Sequence, residues 1–183
     1  IYVNYLKKNK INLAKKYIDK LLDIKKDDYE LLRDKAFIEY LNNDILLSDK
    51  YINKALNINS KDVFGLNILG LLYIKKQNIL EAVEIFKKAI LLNPQYSDSY
   101  NNLGKCYIDL EELSLAYLNF KKSYKINPNS ELPLINIANI LSLKDKNKLA
   151  IHFYEKAKKI TPNNQHIDEN IIICNVRLKN YEW

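Results

Sequence analysis

Several residue types are scarce in this sequence, and each scarcity excludes a class of structure. The 183 residues include only three glycines and four prolines, too few for the turns of an all-β sandwich. The two cysteines, Cys106 and Cys174, lie in no metal-ligand spacing. No apolar run approaches the ~20 residues that a helix needs to cross a bilayer. A helical, soluble protein of a reducing compartment is therefore predicted, and we expect it to be cytoplasmic without membrane insertion.

Methionine is absent altogether, although the chain begins at Ile1. We therefore expect the natural N-terminus to lie outside this sequence.

Arginine is also scarce, although the formal net charge is +7. Arg33 and Arg177 are the only arginines, and the lysines are spread along the whole chain. Nucleic-acid partners usually require basic residues that cluster on one face. The lysines are therefore interpreted as a solvated surface, and no nucleic acid is expected as a partner.

What the sequence does contain is a repeat with a period of 34 residues. The residues that recur at this period are Leu69 and Leu103, Gly70 and Gly104, Tyr73 and Tyr107, Ala82 and Ala116, Phe86 and Phe120, and Pro94 and Pro128. A third copy follows with mild substitutions. Such a period is typical of stacked helix pairs, each of which cannot bury its apolar side alone.

The recurring columns resemble the signature of the tetratricopeptide repeat family, in which W-x₂-L-G-x₂-Y is followed by A-x₃-F and P. Two copies reproduce it with one change each, because Leu66 and Tyr100 stand in the tryptophan column. The resemblance implies an all-α fold: a right-handed superhelical solenoid of antiparallel helix pairs. Gly70 falls inside a predicted helix, where glycine costs ~1 kcal/mol relative to alanine. We therefore expect Ala82 or Phe86 of the partner helix to pack against it.

The register divides the chain into a single array of repeats. Full repeats are predicted at 29–62, 63–96, 97–130 and 131–164, between a partial repeat at 1–28 and a partial repeat or capping helix at 165–183. In the first full repeat, Lys35 and Glu39 occupy columns that are apolar elsewhere, which predicts looser packing there. Both ends cut through a repeat, so a longer natural array is expected.

No group of residues in the sequence predicts catalysis. His152 and His166 fall on different predicted helices, and the acidic pairs at 27–28 and 111–112 fall in predicted turns. The phosphate-binding and nucleophile motifs are missing. The sequence therefore predicts no enzymatic activity, no metal and no cofactor in this chain.

Three asparagines also recur at the repeat period, namely Asn102, Asn136 and Asn170. The recurrence resembles the asparagine ladders of peptide-binding members of the family, in which the amides bind the backbone of an extended peptide. An amide suits that role because it offers both a donor and an acceptor. The alternative interpretation is that asparagine is abundant because of AT-rich codon usage.

The resemblance also predicts which side chains line the groove around this ladder. The early part would be apolar and the later part polar. The early residues are Phe37, Tyr40, Phe64, Leu71 and Ile74, and the later ones are Asn101, Lys105 and Asn139.

The sequence thus predicts an interaction scaffold that binds an extended peptide or protein segment in the concave groove of the superhelix. The expected partner is another protein or peptide, or the rest of its own longer chain. The alternative is a substrate-recruiting arm of a larger enzyme, such as a glycosyltransferase or sulfotransferase, whose catalytic domain is not in this chain.

Overall fold

A computed structural model describes residues 11–180 of the chain and the side chains of residues 11–179. The described residues form helices joined by short turns, without strands. The helices are α1 (Ile11–Ile24), α2 (Tyr29–Leu41), α3 (Ile45–Ile58), α4 (Val63–Lys75), α5 (Ile79–Leu92), α6 (Ser97–Asp109), α7 (Leu113–Ile126), α8 (Leu132–Leu143), α9 (Asn147–Ile160) and α10 (Gln165–Asn180). The predicted all-α class of repeated helix pairs is confirmed.

The chain divides into two compact units, and each is described by itself. Unit 1 extends to Pro94 and unit 2 begins at Gln95. In unit 1, each helix packs on the next, and α2 also packs on α4. In unit 2, α6 to α10 pack in succession in the same way.

The helix pairs follow the predicted repeat register. In each full repeat, a first helix (α2, α4, α6 or α8) is followed by a second helix (α3, α5, α7 or α9) after a three-residue turn. The helix predicted to end within residues 1–10 lies outside the described residues, as do residues 181–183. That both units form a single array stays a prediction.

The predicted close approach at Gly70 is confirmed, and the side chain that fills the space is Phe86. A methyl group placed on Gly70 would lie 2.6 Å from the Phe86 ring, and one on Gly104 would lie 2.6 Å from the Phe120 ring. Both rings are buried. The two glycines therefore let the paired helices approach closely enough to bury a phenylalanine between them.

Each turn between a first and a second helix contains a residue in the left-handed conformation. Asn43, Gln77, Glu111 and Asp145 have φ values of 61°, 62°, 60° and 55°. The following amide bonds back across the turn, as Glu112 N does to Tyr107 O at 2.8 Å. This is the Schellman pattern that ends many helices, here without glycine.

The first full repeat is not loosened by its charged residues, contrary to the expectation from sequence. Lys35 and Glu39 are 2% and 0% exposed. Lys35 Nζ lies 2.8 Å from Glu39 Oε1 and also contacts Asp19. Lys15 Nζ donates to the other Glu39 oxygen at 2.9 Å. A charge network between α1 and α2 thus replaces the apolar contacts of the other repeats.

Candidate peptide-binding site

The first helices of unit 1 present a cluster of partly exposed aromatic side chains. Phe37 and Tyr40 lie on α2, while Phe64 and Leu71 lie on α4, and all four are partly buried. The rings of Phe37 and Phe64 meet edge to face with their centroids 5.5 Å apart. The sequence predicts that these four residues line one groove, and we call them the aromatic face.

The aromatic face forms because its residues repeat at helical spacing. Phe37 and Tyr40 are three residues apart on α2, while Phe64 and Leu71 are seven apart on α4, so each pair lies on one side of its helix. Between the latter two, Ile68 is fully buried and belongs to the core beneath the face. Ile74, also predicted to line the groove, is partly buried on α4.

Charged side chains lie at two ends of the aromatic face. Near the start of α4, the Arg33 guanidinium lies 5.1 Å from the centre of the Phe64 ring. It also donates to Asp34 Oδ1 at 2.9 and 3.0 Å and lies 3.6 Å from Asp62. At the end of α4, Lys75 Nζ lies 6.0 Å from the Tyr40 ring.

Two ionisable groups of this region are shifted by their surroundings. Burial and the neighbouring Asp62 carboxylate raise the pKa of Asp34 to about 6. Burial also raises the pKa of Tyr40. Sequence analysis missed Arg33 and Asp34 as parts of this site, because nothing in the repeat pattern marks an adjacent pair of opposite charges.

In unit 2 the predicted amides lie on the first helices, and two of them form a direct contact. Asn136 Nδ2 on α8 donates to Asn101 Oδ1 on α6 at 3.1 Å. Asn139, one turn further on α8, is exposed and accepts a hydrogen bond from the Tyr154 hydroxyl. Lys105 on α6 is exposed. We call Asn101, Asn136 and Asn139 the amide row.

The expectation that Asn102, Asn136 and Asn170 form a ladder of exposed amides needs correction. Asn102 and the neighbouring Asn101 are only 7% and 6% exposed. Asn170 donates to the His166 carbonyl oxygen of its own helix at 2.9 Å. Asn136 does reach an amide of another repeat, that of Asn101.

The remaining chemically notable residues take structural positions. His152 and His166 are exposed on α9 and α10, and no group of metal-binding residues forms among the residues described. The acidic pairs lie in turns as predicted, and Asp28 caps α2 by accepting from the amides of Glu30 and Leu31. Of the helices that the structure describes, none is long and apolar enough to cross a membrane.

Both cysteines are free and buried. Burial, reinforced by Asp109, raises the pKa of Cys106 to about 12. Since the thiolate is the reactive form of cysteine, this shift leaves Cys106 unreactive in the folded protein.

The recurring helix pairs, with a glycine opposite a phenylalanine in two of them, define a helical repeat protein. Sequence profiles described as tetratricopeptide repeat match residues 65–96 and 133–164, and a further profile of that description matches residues 85–117. The chain contains tetratricopeptide repeats. Such repeats usually mediate contacts between proteins and typically carry no catalytic site, so the chain is a protein-interaction repeat scaffold.

Solved structures show the same fold at low sequence identity. A thermophilic TPR protein of Thermus thermophilus matches with a TM-score of 0.85 at 16% identity, covering 96% of this chain and 95% of that one. PilF of Pseudomonas aeruginosa matches with a TM-score of 0.78 at 20% identity, covering 99% and 88%. MamA matches with a TM-score of 0.68 at 20% identity, covering 88% and 95%. A search of curated proteins finds no match to the sequence.

Proposed function

We propose that the aromatic face of unit 1 binds an extended peptide segment of a partner protein through an apolar side chain of that segment. The observation that carries the proposal is the partly exposed pair of Phe37 and Phe64, with Arg33 held against the Phe64 ring. Aromatic and arginine side chains dominate the binding energy of many interfaces.

The packing of these rings supports a preformed site. Each of them has one side against the core cluster of Ala36, Ile52, Ile68 and Leu72, which restricts its rotation. A ring that is already ordered loses little conformational entropy when a partner covers its other side. The aromatic face therefore offers apolar area at a low entropic cost.

The charges around the face suit the polar rim of an interface. Arg33 and Asp34 lie at one end and Lys75 at the other. Rim charges influence which partner associates and how fast it does so more than they influence affinity. We propose that Arg33, Asp34 and Lys75 determine which charged residues the bound peptide carries on either side of its apolar side chain.

The amide row of unit 2 is proposed to bind the backbone of a peptide. The amides of Asn136 and Asn139 can each donate and accept, and their contacts with Asn101, which is itself only 6% exposed, and with Tyr154 use only part of that capacity. A peptide backbone needs the same pair of groups whatever its side chains. A substrate-recruiting arm of a larger enzyme would use these same surfaces.

The test is to select peptides against the full chain from a random display library and titrate the best one into two variants. Phe64→Ala removes the ring at the centre of the aromatic face. We expect its affinity for the selected peptide to fall by ~1–3 kcal/mol, or about fivefold to 150-fold, because such anchors are costly to truncate. Calorimetric titration measures the change.

Phe153→Ala is the matched control. Phe153 is also partly buried, meets an aromatic ring edge to face at 5.7 Å and has a lysine nitrogen 5.5 Å from its centre. It lies on α9, a second helix, so its loss should leave affinity unchanged while perturbing the fold comparably. Equal losses in both variants, or none in Phe64→Ala, would contradict the proposal.

A further inference from the structure

A stripe of apolar and basic side chains runs along the exposed side of α7 in unit 2. Leu118, Lys121, Lys122 and Lys125 follow the i, i+3, i+4, i+7 spacing that places residues on one side of a helix. All four are exposed, Leu118 by 59%. Together with Tyr124 they line an open cleft of about 460 Å³. We call the four residues the basic stripe.

The positive charge of the stripe is uncompensated. The fourteen residues of α7 include no aspartate or glutamate. Within residues 11–180, Lys121 and Lys125 have no carboxylate partner, and the contact of Lys122 is with the Tyr100 ring at 5.9 Å. An uncompensated cluster of like charge beside apolar surface is unfavourable in the free protein and becomes favourable against an opposite charge.

In the equivalent helix of the preceding repeat, the lysine in the column of Lys121 is paired with a carboxylate. Lys87 on α5 occupies the column of Lys121, and its Nζ lies 2.9 Å from Glu84. The column of Glu84 is occupied in α7 by Leu118. On α3, Lys54 is likewise paired, with Asp27 at 2.9 Å. Lys121 thus lacks the carboxylate partner of its counterpart Lys87, because leucine replaces that glutamate, and Lys125 adds a positive charge in the column of Leu91.

We infer that the basic stripe is a second docking surface, for an acidic protein segment that inserts an apolar side chain between the lysine stems. The aliphatic parts of Lys121, Lys122 and Lys125 with Leu118 provide apolar contact, while the ammonium groups face the acidic flanks. This surface lies on a second helix of unit 2, so it is independent of the peptide site proposed on unit 1.

The same stripe is poorly suited to polyanions. Nucleic-acid affinity comes from many phosphate contacts and favours arginine, whereas α7 offers three lysines and no arginine. Anionic membranes are recognised by clusters of about four to eight basic residues or by wide apolar helix faces. A short acidic segment can be bound by the three lysine charges that α7 provides.

The probe is a fluorescein-labelled peptide of repeated Glu-Glu-Leu, with Gln-Gln-Leu and Glu-Glu-Ser peptides for comparison. We expect the full chain to bind the first peptide more tightly than either of the others at low salt, as measured by fluorescence anisotropy. K121E/K122E should weaken that binding by about tenfold or more, because the reversed charges repel the peptide. The matched variant K87E/K88E makes the same charge change in the same columns of α5 and should have little effect.

Leu118→Glu is a second variant that should perturb the fold less, since it places a carboxylate where α5 has Glu84. It should fold normally and lose the binding. Equal weakening by K87E/K88E, or unchanged binding in K121E/K122E and Leu118→Glu, would overturn the inference. So would tighter binding of phosphatidylserine vesicles or of a single-stranded oligonucleotide that is lost in the same variants.

Discussion

At the scale of single residues, the repeat column that contains Gly70 and Gly104 illustrates how the facing side chain determines which residue fits at a position. Gly70 and Gly104 lie against phenylalanine rings. In the repeats on either side, the same column holds Ala36 and Ala138, and the facing residues are Ile52 and Tyr154. Alanine thus occurs where the facing side chain is not phenylalanine.

This pairing leads to a prediction for Gly104→Ala. In an isolated helix the change would stabilise by ~1 kcal/mol, but here the new methyl group would lie 2.6 Å from the buried Phe120 ring. We expect a net loss of ~1–3 kcal/mol in the free energy of unfolding, because an overpacked core must shift. Urea denaturation of the wild type and the variant measures it.

The control is Phe120→Ile, which recreates the Ala36–Ile52 arrangement when combined with Gly104→Ala. The cost of the alanine should be smaller by roughly 1 kcal/mol in that background, since the two residues contact each other. A cost that is the same in both backgrounds would show that the ring is not the cause.

At the scale of secondary-structure elements, the turns between paired helices follow one geometry with unlike residues. The left-handed position is occupied by Asn43, Gln77, Glu111 and Asp145. Asparagine and aspartate adopt this conformation more readily than glutamine or glutamate. The turns at Gln77 and Glu111 therefore have a less favourable backbone energy than those at Asn43 and Asp145.

We predict that Glu111→Gly stabilises the chain by ~0.5–1 kcal/mol, because glycine has no Cβ to oppose a φ of 60°. Asp145→Gly removes the same charge from the equivalent exposed turn and should change stability by less than ~0.5 kcal/mol. Thermal denaturation of both variants provides the comparison. A larger gain for Asp145→Gly would mean that the backbone conformation is not the source of the effect.

The elements also show what could be predicted from the sequence. The helix pairs and the contact of Gly70 with Phe86 follow from side chains that recur at fixed columns. The left-handed residues in the turns could not be predicted from the sequence, because four different residue types adopt this one backbone conformation. Lys35 and Glu39 depart from the apolar pattern in the sequence, and their burial could not be predicted because a sequence does not show that Lys15 and Asp19 lie within reach.

The candidate site was predictable to a similar extent. Periodicity correctly placed Phe37, Tyr40, Phe64 and Leu71 on the first helices of unit 1. It did not show that Asn101 and Asn102 are buried, because periodicity places a residue on one side of a helix without showing how closely its neighbours cover it. Nor did the even spread of lysines along the sequence reveal that Lys121, Lys122 and Lys125 gather around one cleft.

At the scale of the whole molecule, the two units use the same repeat for different surfaces. The first helices of unit 1 carry aromatic rings with charges beside them, whereas those of unit 2 carry amides. Unit 2 also carries the basic stripe on a second helix. One packing scheme in the buried columns thus leaves the exposed columns free to vary, and we propose that those columns determine what each unit binds.

The central claim is that a peptide binds to the aromatic face on the first helices of unit 1. Amide hydrogen exchange of the wild-type chain, alone and saturated with the peptide selected from the display library, tests it most directly. We predict slower exchange in α2 and α4 around Phe37 and Phe64, with no change in α9, because covered and more rigid helices open less often. Unchanged exchange in α2 and α4, with slowing confined to second helices, would contradict the account.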